Sequence, residues 1–201
     1  LNDGVIFANY GKINLDGAQH AVLDFDGNGL INIQITGELK ERLDAKEAAV
    51  TNKGTLRAED GTVVLQASAT KDLFTNLVNN AGVIDASGIS TDGGVVRLVG
   101  NGGNVENSGN ITVSGVHGGS AQLLSDQDVN VSGSVDASGA LGGGSIRIGG
   151  GQQGGEGLLR AANSTLGAGA TWNADATQSG DGGSVVVWGD QSRHIAGSLS
   201  A

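Results

Sequence analysis

Cysteine, proline and methionine are all absent from this 201-residue chain, and aromatic residues make up only 3% of it. The lack of cysteine excludes disulfides, thiolate metal sites and a thiol nucleophile. Bases are scarce too: 11 Lys and Arg stand against 21 Asp and Glu, a net charge of −10. A surface of that sign repels a phosphate backbone, which argues against nucleic acid as a partner, and the charge serves solubility. No run approaches the roughly 18 apolar residues of a membrane helix, and no signal peptide is visible. What the chain does have in quantity is glycine, 37 residues. They follow no Gly-X-Y period, which excludes collagen. A hydrophobic content of 38% in ordered alternation is too structured for a disordered linker. The first residue is Leu1 rather than Met, which we read as a piece of a longer or processed chain, with 1–201 forming one domain-sized segment.

The glycines are periodic. Gly109-Asn110-Ile111-Thr112-Val113-Ser114-Gly115 matches Gly133-Ser134-Val135-Asp136-Ala137-Ser138-Gly139, and Gly118-Gly119-Ser120-Ala121-Gln122-Leu123 matches Gly143-Gly144-Ser145-Ile146-Arg147-Ile148. The first half recurs from Gly11, Gly54, Gly82 and Gly197, and more loosely from Ala170. The second half recurs at Thr62-Val63-Val64-Leu65, Val95-Val96-Arg97-Leu98 and Ser184-Val185-Val186-Val187. The leading glycines at 54, 82, 109 and 133 stand 28, 27 and 24 residues apart. A near-fixed period in this range marks a stacked array of short units. Gly133 to Gly197 spans 64 residues, room for two units and an extra loop.

Period-2 alternation assigns faces. On the first strand Leu56/Ala58, Ile84/Ala86, Ile111/Val113, Val135/Ala137, Trp172/Ala174 and Leu199/Ala201 point inward, with Ile13/Leu15 read as the same position in an earlier unit. Val63/Leu65, Val96/Leu98, Ala121/Leu123, Ile146/Ile148 and Val185/Val187 do so on the second. One outward strip carries Arg57, Asp85, Thr112, Asp136 and Asn173; the other carries Val64, Arg97, Gln122, Arg147 and Val186. Roughly seven coils at about 4.8 Å each predict a rod on the order of 35 Å long. The pairs Gly93-Gly94, Gly118-Gly119, Gly143-Gly144 and Gly182-Gly183 precede the second strand, where a sharp bend would use the positive φ that Gly reaches freely. Asn9, Asn52, Asn80 and Asn107 stand just before the first strand, where stacked side chains can form an amide ladder.

Three segments break the pattern. Residues 38–49, ELKERLDAKEAA, predict a short helix after a strand at 30–35. Residues 70–79, TKDLFTNLVN, predict a second short helix or turn with Leu73, Phe74 and Leu77 packed down. Residues 149–157, GGGQQGGEG, predict a flexible loop. Excursions from a solenoid are where individual function usually sits.

The order GKINLDGA…VLDFDGNGLINIQITGEL, then VTNKGTLRAEDGTVVLQA, then VNNAGVIDASG, then GATWNADATQSGDGGSVVVWGD…HIAGSLSA resembles the filamentous-haemagglutinin-like exoproteins. These are the large adhesins and haemolysins of bacterial two-partner secretion. The likeness runs over essentially the whole chain, and 173–201 is its most specific part. It implies an all-β, right-handed parallel β-helix, export through an outer-membrane β-barrel transporter, a secreted or cell-surface location, and adhesion to a host or bacterial receptor or glycan. The Asn-Pro-Asn signature of the secretion domain cannot occur in a chain without proline. The resemblance therefore places this segment after, or at the end of, such a domain.

Chemistry finds little footing. Asp24-Phe25-Asp26-Gly27-Asn28-Gly29 begins like a calcium loop, but position twelve is Ile35 rather than an acid, so a polar turn is preferred. His20, His117 and His194 are isolated, with no HExxH or HxH spacing. No metal or cofactor is expected. The alternative class is a β-helix polysaccharide lyase or hydrolase, which would use Asp85 and Asp136 on one strip and Arg97 and Arg147 on the next. Short loops give that pair no deep cleft, and the expectation is a monomeric, non-enzymatic rod. Trp188 follows Val187 on the outward register and is the one candidate binding residue; an exposed Trp stacks a sugar face or covers a loop, and the covering role is preferred.

Overall fold

Alternation puts every second residue of each unit inside, and the units then stack like on like. The structure, a computed structural model, describes residues 1–25, 31–41, 48–89 and 92–201. In the first sheet Val5–Phe7, Thr55–Arg57, Val83–Asp85, Asn110–Thr112, Ser134–Asp136, Thr171–Asn173 and Ser198–Ser200 pair in that order, all parallel. The second holds Lys12–Gly17, Thr62–Ser68, Val95–Asn101, Ser120–Ser125, Ser145–Ile148 and Ser184–Val187. The third holds Val50–Asn52, Asn76–Asn80, Asn104–Asn107, Asp128–Val131, Asn163–Leu166 and Ser192–Ile195. Successive coils give one strand to each sheet, so the chain is a parallel β-helix with its core along the axis.

The interior columns follow the sequence. Register aligns Leu56, Ile84, Ile111, Val135 and Trp172, and all five are buried. Val63, Val96, Ala121 and Ile146 form the facing column, also buried. Each buried Val, Leu or Ile of these columns contributes about 1.5–3 kcal/mol by leaving water. Leu199 and Ile195, in the last coil, are 38% and 48% exposed.

Several expectations need correction. Gly11 does not lead a first-sheet strand: Lys12–Gly17 lies in the second sheet, Ile13 opposite Val63, and Val5–Phe7 is the first-sheet strand of that coil. The third sheet is not predicted by the period-2 pattern. Its strands alternate less cleanly, because Asn and Ser share their interior side with Val and Leu: Asn52, Asn80, Asn107 and Ser164 are fully buried. Residues 70–75 form turns as expected, with Phe74 and Leu77 buried, but 76–80 continue as a strand rather than a helix. The Gly-Gly pairs have no positive φ. Glycine is required there for a different reason. A Cβ on Gly119 would overlap the carbonyl oxygen of Gly94 in the coil beneath, and Gly144 stands in the same relation to Gly119.

The excursions fare unevenly. Of the helix expected at 38–49, residues 42–47 lie outside the described residues; at its ends Leu39 bridges Ala69 in parallel and Ala48 is buried. Residues 26–30 of the calcium-like loop are likewise outside them. The strands that flank that loop, His20–Phe25 and Ile31–Gly37, form an antiparallel hairpin outside the three sheets. The long step after Gly133 is taken up by 149–157, as expected. That segment is a built loop with a 3-10 turn at Gln152–Gly154, and Gly149, Gly150 and Gly154 all have positive φ.

Candidate functional surface

On the first outward strip, register places Arg57, Asp85, Thr112, Asp136 and Asn173 side by side on successive coils. The two acids the sequence singled out are therefore separated by Thr112. Both are occupied by the fold. Asp85 Oδ1 accepts hydrogen bonds from the backbone N–H and the hydroxyl of Ser87, at 3.0 and 2.6 Å, and Arg57 Nε donates to Oδ2 at 3.1 Å. Partial burial works to raise the Asp85 pKa, but the Ser87 bonds and the Arg57 charge outweigh it and hold the carboxyl below its usual range. Asp136 accepts the N–H of Ser138 at 3.0 Å, and Asn173 accepts that of Asp175 at 2.8 Å. Three of the five residues in the column, Asp85, Asp136 and Asn173, cap the turn two residues on, which is the local role Asp and Asn play in Asx turns.

The second strip is split. Arg97 Nε donates to Gln122 Oε1 at 3.0 Å. Arg147 donates to Glu156 at 3.1 Å and to the Ser184 hydroxyl at 2.9 Å. A bond from the Gln152 backbone N–H, together with that ion pair, draws the Glu156 pKa down. Val64 was expected in the open strip but is only 8% exposed. It shares a cavity lining with Ile33 of the hairpin, whose backbone carbonyl accepts a bond from Gln66 Nε2 at 3.3 Å. No periodicity in the repeat could have announced this cover, since the hairpin lies outside it.

Trp188 is half-buried. A Cβ on Gly150 or Gly154 would stand 3.0 Å from its ring, so those glycines let the 149–157 loop lie against the indole. Its Nε1 donates to Asp190 Oδ1 at 2.7 Å, Asp190 pairs with Arg160 at 3.1 Å, and the Arg193 guanidinium carbon lies 5.3 Å from the ring centroid. In this position Trp188 covers the loop.

The remaining features are sparse. His117 Nδ1 lies 2.7 Å from Asp92 Oδ1 on the exposed surface, and His20 and His194 are also exposed. Among the described residues no three His, Asp or Glu converge as metal ligands. The stacked Gly-Gly steps floor a shallow groove lined, among the described residues, by glycine, serine and Val95, with no charged side chain among them.

No family model matches the chain, and no curated protein matches it. Among solved structures it is similar to the HMW1 secretion domain from Haemophilus influenzae, with a TM-score of 0.71 and 23% identity over 100% of this chain. The chain spans 60% of that structure's length. At this identity the likeness bears on the fold alone, and it agrees with the parallel β-helix described above.

Proposed function

We propose that the chain is a β-helical segment of a large secreted bacterial exoprotein, exported by two-partner secretion and acting as a stiff rod that carries adhesive loops. The observation that carries this reading is the fold likeness to a secretion domain across the full length of the chain. The architecture supports it. Each coil packs only on its neighbours, so the fold can grow coil by coil as the chain emerges from a pore. A chain with no cysteine carries no disulfide to hinder that passage. An outer-membrane transporter is the proposed partner in export, and a host or bacterial surface receptor or glycan the proposed partner afterwards. Binding is assigned to 149–157 beside Trp188 and to 38–49, rather than to the repeat.

Two experiments test the reading. The parent exoprotein that contains this segment is expressed with and without the transporter of its system; it should reach the medium only with the transporter, and periplasmic retention in both cases overturns the export claim. The polysaccharide lyase or hydrolase alternative rests on Asp85 and Asp136. What weighs against it is that both carboxylates cap their own turns and Asp85 is ion-paired. Reducing-end release from acidic polysaccharides that disappears in Asp136→Asn would replace the rod reading with the enzymatic one.

A further inference from the structure

Asn101 ends the strand Val95–Asn101 and is followed by Gly102. This is one of two Asn-Gly pairs in the chain; the other, Asn28-Gly29, lies outside the described residues. The fold dictates the glycine. Gly102 has a φ of 95°, and a Cβ there would overlap the Ala69 carbonyl oxygen in the preceding coil. A glycine after asparagine has a chemical consequence, because no side chain shields its nitrogen. That nitrogen can give up its proton to solvent and attack Asn101 Cγ. A new C–N bond forms, the bond to the side-chain nitrogen breaks, and that nitrogen leaves as ammonia after taking up a proton. Water then opens the cyclic imide at either carbonyl, giving aspartate or isoaspartate. Isoaspartate lengthens the main chain by one methylene and adds a negative charge. Asn101 is exposed, so water reaches it.

We infer that Asn101 is a self-modification site and that Asp126 holds it in check. The peptide unit between Asn101 and Gly102 is gripped from both sides. From the preceding coil the Ala69 N–H donates to the Asn101 carbonyl at 2.9 Å. From the following coil Asp126 Oδ1 accepts the Gly102 N–H at 2.7 Å, and the Asp126 N–H in turn donates to the Gly100 carbonyl at 3.3 Å. Ring closure needs this peptide plane to turn toward Cγ, and bonds to a neighbouring coil at each end oppose the turn. Closure also needs an anionic nitrogen, and a carboxylate within hydrogen-bond distance disfavours a second negative charge beside it. The surroundings act the same way: Gly102 borders a corner cavity of ≈ 300 Å³ whose charged lining, among the described residues, is Asp72 and Asp128. In Asp126 the bond and the charge work in one direction, against the reaction.

The test follows deamidation site by site, by peptide mapping with mass spectrometry, in folded protein kept in mildly alkaline buffer. Both Asn-Gly pairs are scored, with Asn28 as the internal reference. In Asp126→Ala the Asn101 rate should rise ~10-fold or more over the native chain, the factor that loss of one hydrogen bond to a charged acceptor corresponds to, while the Asn28 rate stays as it was. An Asn101 rate that is unchanged, lowered, or raised no more than that of Asn28 overturns the inference. Should Asp126→Ala fail to fold, Asp126→Asn takes its place. It keeps the shape of the side chain and gives up the charge, and it carries the same expected direction and the same overturning result. The native chain supplies a second reading: Asn101 should deamidate more slowly in the folded protein than in urea, and equal rates overturn the inference as well.

Discussion

Asn52 donates its side-chain amide to Asn80 Oδ1 across 2.8 Å, and neither residue has exposed surface. The same bond joins Asn2 to Asn52 and Asn80 to Asn107, both at 2.7 Å, and Asn107 closes the run on the Gly109 carbonyl. In the next coil the position is Val131. Asn80→Ala therefore leaves a buried donor on Asn52 and a buried acceptor on Asn107, and should cost about 2–4 kcal/mol. Replacing Asn52, Asn80 and Asn107 together by Val, the residue the next coil already uses, should cost less than three such single losses added up. Urea melts of the single and triple variants check this; strict additivity would mean the ladder is not a unit.

Asn2 and Asn52 are 50 residues apart, with the hairpin and the 38–49 segment between them. Asn9 precedes a glycine just as Asn52 does, yet it lies exposed, while Asn2 takes the place in the ladder. Where coil length is nearly constant, from Gly54 to Gly139, the inner and outer columns of the first two sheets are legible in the sequence, apart from the covered Val64. Where an excursion interrupts the count, the frame shifted to the wrong sheet at Gly11. The capping roles of Asp85 and Asp136 were not legible either, because Asp-x-Ser carries no period of its own and reads equally as a catalytic strip.

The interior register predicts a sharp contrast between neighbours. Ile111→Asp buries an unpartnered charge between Ile84 and Val135 and should cost several kcal/mol, on the order of 4 or more. Thr112 points outward but stands between Asp85 and Asp136. Thr112→Asn should be neutral within about 0.5 kcal/mol. Thr112→Asp instead stacks three carboxylates in one column, so its loss should shrink at high salt or low pH. Thermal melts of the three variants separate these effects; equal losses for Ile111→Asp and Thr112→Asn would show the register to be wrong.

Coil-to-coil approach makes a parallel prediction for glycine. A Cβ at Gly119 overlaps the Gly94 carbonyl, whereas at Gly169 the nearest atom, the Ser132 carbonyl oxygen, is 3.9 Å away. Gly119→Ala should destabilise by about 2 kcal/mol or more through forced separation of the coils. Gly169→Ala should change stability by less than about 1 kcal/mol. Melting curves of the two single variants decide the matter, and similar behaviour would show that the stack accommodates a methyl group there.

Acid titration tests the capping column. The Asp85 carboxyl is held below its ordinary pKa of 3.8 by Ser87 and Arg57 against the opposing effect of burial. A depressed folded-state value means that the unfolded chain takes up the proton first as pH falls. The stabilisation is therefore complete above the ordinary value and disappears as pH drops through the folded one. At neutral pH, Asp85→Asn loses the charge facing Arg57 and should melt below the native chain. The gap should narrow as pH falls below 3.8, because the native carboxyl is then being neutralised as well. Other acids titrate in the same window, so the informative quantity is the difference between the two melting temperatures. A gap that stays constant from neutral pH into this range would show that the Asp85 charge contributes nothing and that its place in the column depends on shape alone.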